Sequence, residues 1–142
     1  AARGPATVVM AEGSGPIAVL GMACNFPGTA VSPEAFWGGL MTKTDAVSEI
    51  PFDRWDVDDY YDPEHGMKGK MYVRSAAFIK GAENFDTALF AISPAEAHTM
   101  DPQQRILLET VHEAHHRTKG LAADLGKGTD VSTFVGECNN DW

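Results

Sequence analysis

The chain has little of several things that would assign a function directly. It has 11 Lys and Arg against 20 Asp and Glu, so its formal net charge is -9. Nucleic-acid binding needs clustered cations, and an anionic membrane surface repels such a chain, so this balance argues against both partners. No apolar run approaches the roughly 20 residues that span a bilayer, and the N-terminus lacks the apolar core of a secretory signal. We therefore expect a cytoplasmic protein without a membrane span, with organelle targeting left open.

Cysteine is scarce, and its placement favours structural thiols. Cys24 and Cys138 lie far apart in a chain without a secretion signal, which favours two free thiols over a disulfide. Each follows a predicted buried strand, where a small buried thiol is commoner than a nucleophile. Glycines at the spacing of a phosphate-binding loop are also lacking, since Gly21 and Gly28 have the wrong separation.

The strongest local signals lie between Ser93 and Gly120. Ser93 precedes a proline and stands three residues before a glutamate, which is a capping box at the start of a short helix. Asp101 repeats the arrangement and predicts a long helix running to Lys119, with Gly120 as its left-handed C-terminal cap. The period of that helix places Leu107 and neighbouring residues on a buried stripe, with His115 near the centre of the stripe.

The rest of the chain alternates apolar and polar stretches in a pattern typical of α/β proteins. Residues 45–70 combine acids, prolines and aromatics, and predict an irregular loop pinned to a core by its aromatic side chains; the EF-hand calcium pattern fails there. Two core strands are too few to bury the faces of a layered domain, so we expect an incomplete one. The remaining predicted elements are a linker or flexible tail at 1–16, a buried strand at 17–22, a helix capped by Ser32, a strand at 71–80 and a strand at 131–135.

One motif suggests a metal site. His112, Glu113 and His116 match H-E-x-x-H, which on a helix places two imidazoles on one face to bind zinc and a carboxylate to act as base. The longer metzincin spacing fails, and the possible third ligand Glu137 lies at the end of a predicted strand. A motif with only three fixed positions occurs often by chance, so a zinc hydrolase that uses His112, Glu113 and His116 is a remote alternative.

Several stretches occur together in the order and spacing of one family. They are residues 17–28, 32–37, 51–63, 69–78, 85–86, 92–94, 100–105 and 134–136. Through them the chain resembles the N-terminal part of a β-ketoacyl synthase (ketosynthase) domain of a type I modular polyketide synthase. The resemblance implies that residues 17–142 are part of a thiolase-like fold, layered α/β/α/β/α, that stops before the catalytic cysteine.

The resemblance also implies a reaction and its partners. Ketosynthases perform decarboxylative Claisen condensation of acyl groups on an acyl carrier protein, with a nucleophilic cysteine and two histidines. In the family all three catalytic residues lie beyond the position of Trp142, so no catalytic residue is expected here and the chain alone is predicted to be inactive. The implied partners are the carrier protein, the rest of the ketosynthase domain and a homodimer partner. No cofactor is expected, because the phosphopantetheine arm belongs to the carrier.

One segment of the chain matches a functional region of the family. The segment comprises Glu137, Cys138, Asn139, Asn140 and Asp141. The resemblance implies that it approaches the acyl pocket and the dimer interface, as the matching region does in the family. The chain also departs from the family, which usually has Trp at position 112, and Leu and Glu at positions 115 and 116. A non-catalytic interaction or structural piece that needs a complementary chain is the alternative interpretation.

Overall fold

The computed structural model describes residues 17–120 and 131–138, together with the backbone of Val8–Val9. The chain divides into two compact units. Unit one comprises Ala1–Ala23 and Phe85–Trp142, and unit two comprises Cys24–Asn84. Each unit contains both helices and short strands, so the prediction of an α/β chain is confirmed.

Unit one contains a short antiparallel strand pair. Strand β1 (Val8–Val9) pairs with β2 (Ile17–Ala18), with Val8 opposite Ala18 and Val9 opposite Ile17. The predicted buried strand over 17–22 is therefore too long, and its apolar side chains are exposed. A strand forms only where a neighbour accepts and donates its backbone hydrogen bonds, and β1 supplies such a neighbour for two residues. Val8 and Val9 lie inside the predicted linker, whose other residues lie outside the described part of the chain.

The two helices of unit one begin where the capping signals place them. Helix α3 (Pro94–Thr99) starts after Ser93, whose hydroxyl accepts a hydrogen bond from the Glu96 amide at 3.2 Å. Helix α4 (Pro102–Arg117) starts after Asp101, whose Oδ1 accepts from the Gln103 amide at 2.7 Å. Both prolines occupy the first helical position, where the missing N–H costs no hydrogen bond.

The C-terminal end of α4 differs slightly from its prediction. The helix ends at Arg117, with Thr118 as its cap, rather than at Lys119. Both Lys119 and Gly120 have positive φ, at 52° and 85°. The predicted left-handed ending is therefore present and begins one residue earlier than Gly120.

A glycine allows close backbone packing in unit one. A Cβ atom built on Gly21 would collide with the carbonyl oxygen of Ala114 and would lie 3.0 Å from Cγ2 of Thr118. The backbone that follows β2 thus lies directly against the last turns of α4. Only glycine allows this approach without displacing one of the two segments.

Unit two begins with a helix whose start is also predicted by a local signal. Helix α1 (Pro33–Thr42) follows Ser32, whose hydroxyl accepts from the Ala35 amide at 3.2 Å. It ends at Lys43, which has a φ of 55° and donates its N–H to the last turn of the helix. None of the residues of α1 is buried.

Two strands and a short helix follow in unit two, where the sequence predicts an irregular loop and a longer strand. Strand β3 (Val47–Glu49) pairs antiparallel with β4 (Ser75–Ala77), and helix α2 (Val57–Tyr60) lies between them in the chain. The aromatic side chains are not pinned to a core as predicted, since Phe52 is 81% exposed.

Little of the described chain is buried. The buried apolar side chains among these residues are Ile50 and Val57 in unit two and Ala97 in unit one. Residues 131–138 form no strand and are exposed throughout, so the predicted strand at 131–135 is wrong. No strand among the described residues lies beside this segment to satisfy its backbone. None of the described helices is long and apolar enough to cross a membrane.

Candidate functional site

The segment predicted to approach the acyl pocket and dimer interface is only partly described. Glu137 and Cys138 lie in the stretch 131–138, which forms neither helix nor strand, and are exposed. Asn139, Asn140 and Asp141 lie outside the described residues. The proximity of this segment to a substrate pocket or a dimer interface therefore stays a prediction.

The two cysteines are not joined by a disulfide. Cys24 is half-buried in the loop that opens unit two, and its thiol donates a long hydrogen bond of 3.8 Å to the carbonyl oxygen of Ala30. A nucleophilic thiol needs a base or a cation beside it, whereas the hydrogen-bond partner of this thiol is a backbone carbonyl oxygen. This geometry fits a structural thiol at Cys24.

The H-E-x-x-H motif lies on α4, but two of its three side chains, His112 and Glu113, have other partners. The ring of His112 packs edge-on against Phe90, with ring centroids 5.9 Å apart. The carboxylate of Glu113 accepts a 2.7 Å hydrogen bond from Nε of Arg117, one turn further along the helix. Within the described part of the chain, no three or more His, Cys, Asp or Glu side chains are placed to hold a metal ion. The zinc alternative thus gains no support from the structure.

The buried face of α4 also differs from the predicted stripe. His115, predicted near the centre of that face, is exposed, and Val111 is 59% exposed. The buried residues of α4 and its two caps are instead Arg105 within the helix, Asp101 at its start and Thr118 at its end. The prediction of a buried histidine is therefore wrong.

Unit two contains an ionic cluster that sequence reasoning missed. Arg74 donates from Nε and Nη2 to Oε1 of Glu49, at 3.0 and 2.8 Å, and from Nη2 to Oδ1 of Asp58 at 2.7 Å. Its guanidinium carbon also lies 4.8 Å from the ring centroid of Tyr61. The hydrogen bonds to Glu49 and Asp58 raise the pKa of Arg74 above its usual value. We refer to these four residues as the Arg74 cluster.

The Arg74 cluster joins segments that are distant in sequence. Glu49 ends β3, Asp58 lies in the first turn of α2, and Arg74 immediately precedes β4. The Ile50 amide donates to the Arg74 carbonyl at 2.9 Å, which extends the strand pairing by one residue and brings the side chains together. The signal in the sequence is a Glu and an Arg at the ends of two strands, which is visible only once their register is known.

A small apolar cavity lies next to the acidic segment of unit two. It has a volume of about 360 Å³ and is lined by Trp55, Tyr60, Gly69 and Met71. Backbone bonds hold its wall, since the Met71 amide donates to the Tyr60 carbonyl at 2.8 Å. The lining is mainly apolar and includes no cysteine or histidine.

Comparison with known proteins identifies the family. A family model described as the N-terminal domain of β-ketoacyl synthases matches residues 14–142. The chain is 44% identical over 142 residues, or 99% of its length, to a component of the pikromycin polyketide synthase of Streptomyces venezuelae. It is 48% identical over 122 residues to a protein of the spectinabilin polyketide synthase system of Streptomyces orinoci. The chain spans 4% and 6% of the lengths of these two relatives.

Solved structures agree with this assignment. An oxazolomycin ketosynthase domain from Streptomyces albus superposes with a TM-score of 0.65 at 35% identity, covering 70% of this chain and 17% of that one. The ketosynthase from module 6 of the Bacillus subtilis bacillaene synthase superposes with a TM-score of 0.60 at 38% identity, covering 68% and 16%. The predicted thiolase-like fold class is thereby confirmed. The chain belongs to the β-ketoacyl synthase family, and its sequence is that of the N-terminal part of a ketosynthase domain of the type I modular polyketide synthases.

Proposed function

We propose that the chain supplies the N-terminal part of a ketosynthase that performs decarboxylative Claisen condensation of acyl groups carried on an acyl carrier protein. The observation that supports this most is the family match, which extends over residues 14–142 without a break. Identity of 44% over almost the whole chain to a polyketide synthase component points the same way.

In this proposal the reacting groups lie in polypeptide outside the chain. The nucleophilic cysteine and the two histidines come from the remainder of the ketosynthase domain. Cys24 supports this division, since its thiol contacts the Ala30 carbonyl. Cys138 is exposed and lies in a stretch, 131–138, that forms neither helix nor strand. The chain alone is therefore inactive in condensation.

The partners follow from the same proposal. They are the remainder of the ketosynthase domain, the acyl carrier protein and a second copy of the completed domain. The carrier's phosphopantetheine arm delivers the acyl group, so the chain itself holds no cofactor. A cytoplasmic location completes the proposal.

A chimera tests the function directly. Residues 14–142 of this chain replace the matching segment of the ketosynthase in the pikromycin synthase component. The chimera is then supplied with an acyl donor and a carrier-bound extender. We expect formation of the β-ketoacyl product, detected by mass spectrometry of the carrier as an extender that has gained the donor's acyl group and lost CO2. The matched control is the same chimera with its host cysteine nucleophile replaced by alanine. A chimera that folds like the host but gives no more product than this control would contradict the proposal.

The isolated chain gives a second test. Incubated alone with the same donor and extender, it is expected to form no β-ketoacyl product. Turnover by the chain alone would show that it contains its own nucleophile. That result would contradict the proposal that the catalytic cysteine and histidines come from the remainder of the domain.

A further inference from the structure

The apolar cavity of unit two has two aromatic walls. It is lined by the side chains of Trp55, Tyr60 and Met71 and by Gly69, and its volume is about 360 Å³. Gly69 has a φ of 76°, and a Cβ atom built on it would meet no atom within 4 Å, so this side of the cavity is open. We call the space between these four residues the Trp55 cavity.

Hydrogen bonds between distant parts of the chain hold the walls in place. The Met71 amide donates to the Tyr60 carbonyl at 2.8 Å, and the Asp62 amide donates to the Met71 carbonyl at 2.9 Å. Nζ of Lys70 donates to the Asp59 carbonyl at 2.8 Å and adds a third link. The cavity is therefore formed by paired backbone rather than by two loose side chains, as is usual for sites that bind small ligands.

The Trp55 cavity lies in a strongly acidic part of the chain. Residues 53–64 contain six Asp and Glu but only one Arg and no Lys. Asp56 follows Trp55 and Asp59 precedes Tyr60, and both acids are exposed. Adjacent residues are 3.8 Å apart at Cα, so these carboxylates lie on the order of 10 Å or less from the cavity walls. Their charge attracts cations to the cavity and repels anions.

The neighbouring ring shows that this part of the chain holds a cation. The guanidinium carbon of Arg74 lies 4.8 Å from the ring centroid of Tyr61, and its Nη2 donates to Asp58 at 2.7 Å. An aromatic ring and a carboxylate thus hold a cation of the chain itself. Within the described part of the chain, no Lys or Arg is placed in this way over Trp55 or Tyr60. Those two rings can therefore contact a cation of another molecule.

The lining restricts the kind of cation. A primary ammonium is strongly hydrated and has three N–H donors, for which a mainly apolar lining offers few acceptors. A metal ion needs several oxygen, nitrogen or sulfur ligands, and no His, Cys, Asp or Glu group of the described residues is placed to supply them. A quaternary ammonium has no N–H donor, and its methyl groups are attracted to the faces of Trp and Tyr rings.

The size of the Trp55 cavity fits such a group. A volume of about 360 Å³ is roughly that of twelve water molecules in the liquid. It therefore accommodates a trimethylammonium group together with the start of the chain that carries it. The open side at Gly69 leaves room for the rest of that chain.

We propose that the Trp55 cavity binds a methylated ammonium cation, carried by a small molecule such as choline or by a trimethylated lysine of another protein. Trp55 and Tyr60 contact the methyl groups, and the surrounding carboxylates add attraction at longer range. This inference goes beyond the proposed function, because condensation neither supplies nor consumes such a cation.

A choline titration tests the proposal in the full chain and in the chimera described above. The signal is the isotope-labelled methyl group of Met71, which lines the cavity and is identified by its loss in Met71→Leu. We expect a saturable shift in the millimolar range in both proteins. Dimethylbutanol, the uncharged isostere of choline, should bind at least about threefold more weakly, and sodium chloride should give no saturable shift.

Three results of this titration would overturn the proposal. They are the absence of a saturable shift, equal binding of choline and dimethylbutanol, and a shift in the isolated chain that the chimera lacks. The third result would mean that the cavity is covered in the completed domain.

A change in one wall tests the contact with the ring. Trp55→Leu keeps the wall apolar but removes its aromatic face, and is expected to weaken choline binding about three- to fivefold. Trp37→Leu is the matched control, because Trp37 lies on α1, away from the lining, and is 64% exposed against 41% for Trp55. It should leave the binding unchanged. Equal effects of the two variants would contradict the assignment to this cavity.

Two exposed charges test the recognition of a cation without altering the walls. Asp59→Asn is expected to weaken choline binding about twofold at low salt, whereas Lys70→Gln should tighten it about twofold. Gln at position 70 keeps a donor for the Asp59 carbonyl. Neither variant should change the binding of dimethylbutanol. Effects of the same sign, no effect of either variant, or equal effects on the uncharged probe would overturn the proposal.

A lysine peptide distinguishes the two sources of the cation. If the trimethylated peptide binds at least about tenfold more tightly than choline, the ligand is a protein side chain; equal or weaker binding supports a small molecule. The same peptide without the methyl groups is the control and should bind at least about threefold more weakly. Equal binding of the two peptides would overturn the preference for a methylated ammonium.

Discussion

Nη2 of Arg74 lies 2.8 Å from Oε1 of Glu49, although 25 residues separate the two in the chain. The same nitrogen lies 2.7 Å from Oδ1 of Asp58. One guanidinium therefore links the end of β3 to the start of α2. It holds the chain that follows β3 close to the strand pair of β3 and β4.

The Arg74 cluster predicts a salt-dependent stability. Arg74→Gln removes the charge and both ion pairs, and is expected to destabilise unit two at low ionic strength. Because Glu49 and Asp58 are 59% and 76% exposed, salt screens the attraction, and roughly half of the effect or less should remain in 1 M NaCl. Urea unfolding at both ionic strengths measures this. Arg54→Gln is the control, because Arg54 donates its hydrogen bond to the Ile79 carbonyl, which is a neutral acceptor rather than a carboxylate. A loss equal at both ionic strengths would contradict an electrostatic role.

Gly21 predicts a pair of variants with opposite effects. Gly21→Ala places a methyl group against the Ala114 carbonyl and is expected to cost about 1–3 kcal/mol in free energy of unfolding. Gly38→Ala lies in the exposed interior of α1, with open space around the new methyl group. It should stabilise by up to about 1 kcal/mol through helix propensity. Chemical denaturation of both variants provides the measurement, and a neutral Gly21→Ala would contradict the close approach.

Two variants of Asp101, the N-cap of α4, distinguish the contribution of its negative charge from that of its hydrogen bond. Asp101→Ala removes the acceptor of the Gln103 amide at a buried position, and should lower the free energy of unfolding by about 1–2 kcal/mol. Asp101→Asn retains an acceptor oxygen and should lose less than half of that. Equal losses for the two variants would mean that the negative charge, rather than the amide bond, stabilises the start of the helix.

We expect the histidines of α4 to hold no zinc ion, and metal analysis checks this. Glu113 is held by Arg117, and no three-ligand group occurs among the described residues. Metal analysis of the chain purified without chelator is therefore expected to find zinc well below one atom per chain. Stoichiometric zinc that His116→Gln removes would restore the hydrolase alternative.

Local signals in the sequence were sufficient for the helix starts. Ser32, Ser93 and Asp101 each cap the helix predicted for them, because a cap and the amide that it accepts from lie within three residues. The identity of the family was also recoverable, since it depends on the order and spacing of short motifs that survive without knowledge of the packing.

Burial and strand pairing could not be predicted in the same way. The period of α4 places His115 on a buried face, yet it is exposed, because which face is covered depends on neighbours distant in sequence. The strands predicted at 17–22 and 131–135 fail for the same reason: apolar residues favour a strand but do not supply its partner. The Arg74 cluster depends on the register of β3 and β4, which no local pattern encodes.

The division of the chain into two units has a consequence for its synthesis. Unit two is continuous in sequence, whereas unit one is assembled from segments on either side of it, 1–23 and 85–142. On a ribosome, residues 24–84 have emerged before the second half of unit one has been made, so unit two can form its strand pair first. Closing unit one then requires the backbone at Gly21 to meet the last turns of α4 across that insertion. A preformed unit two shortens the effective loop and lowers the entropy cost of the closure.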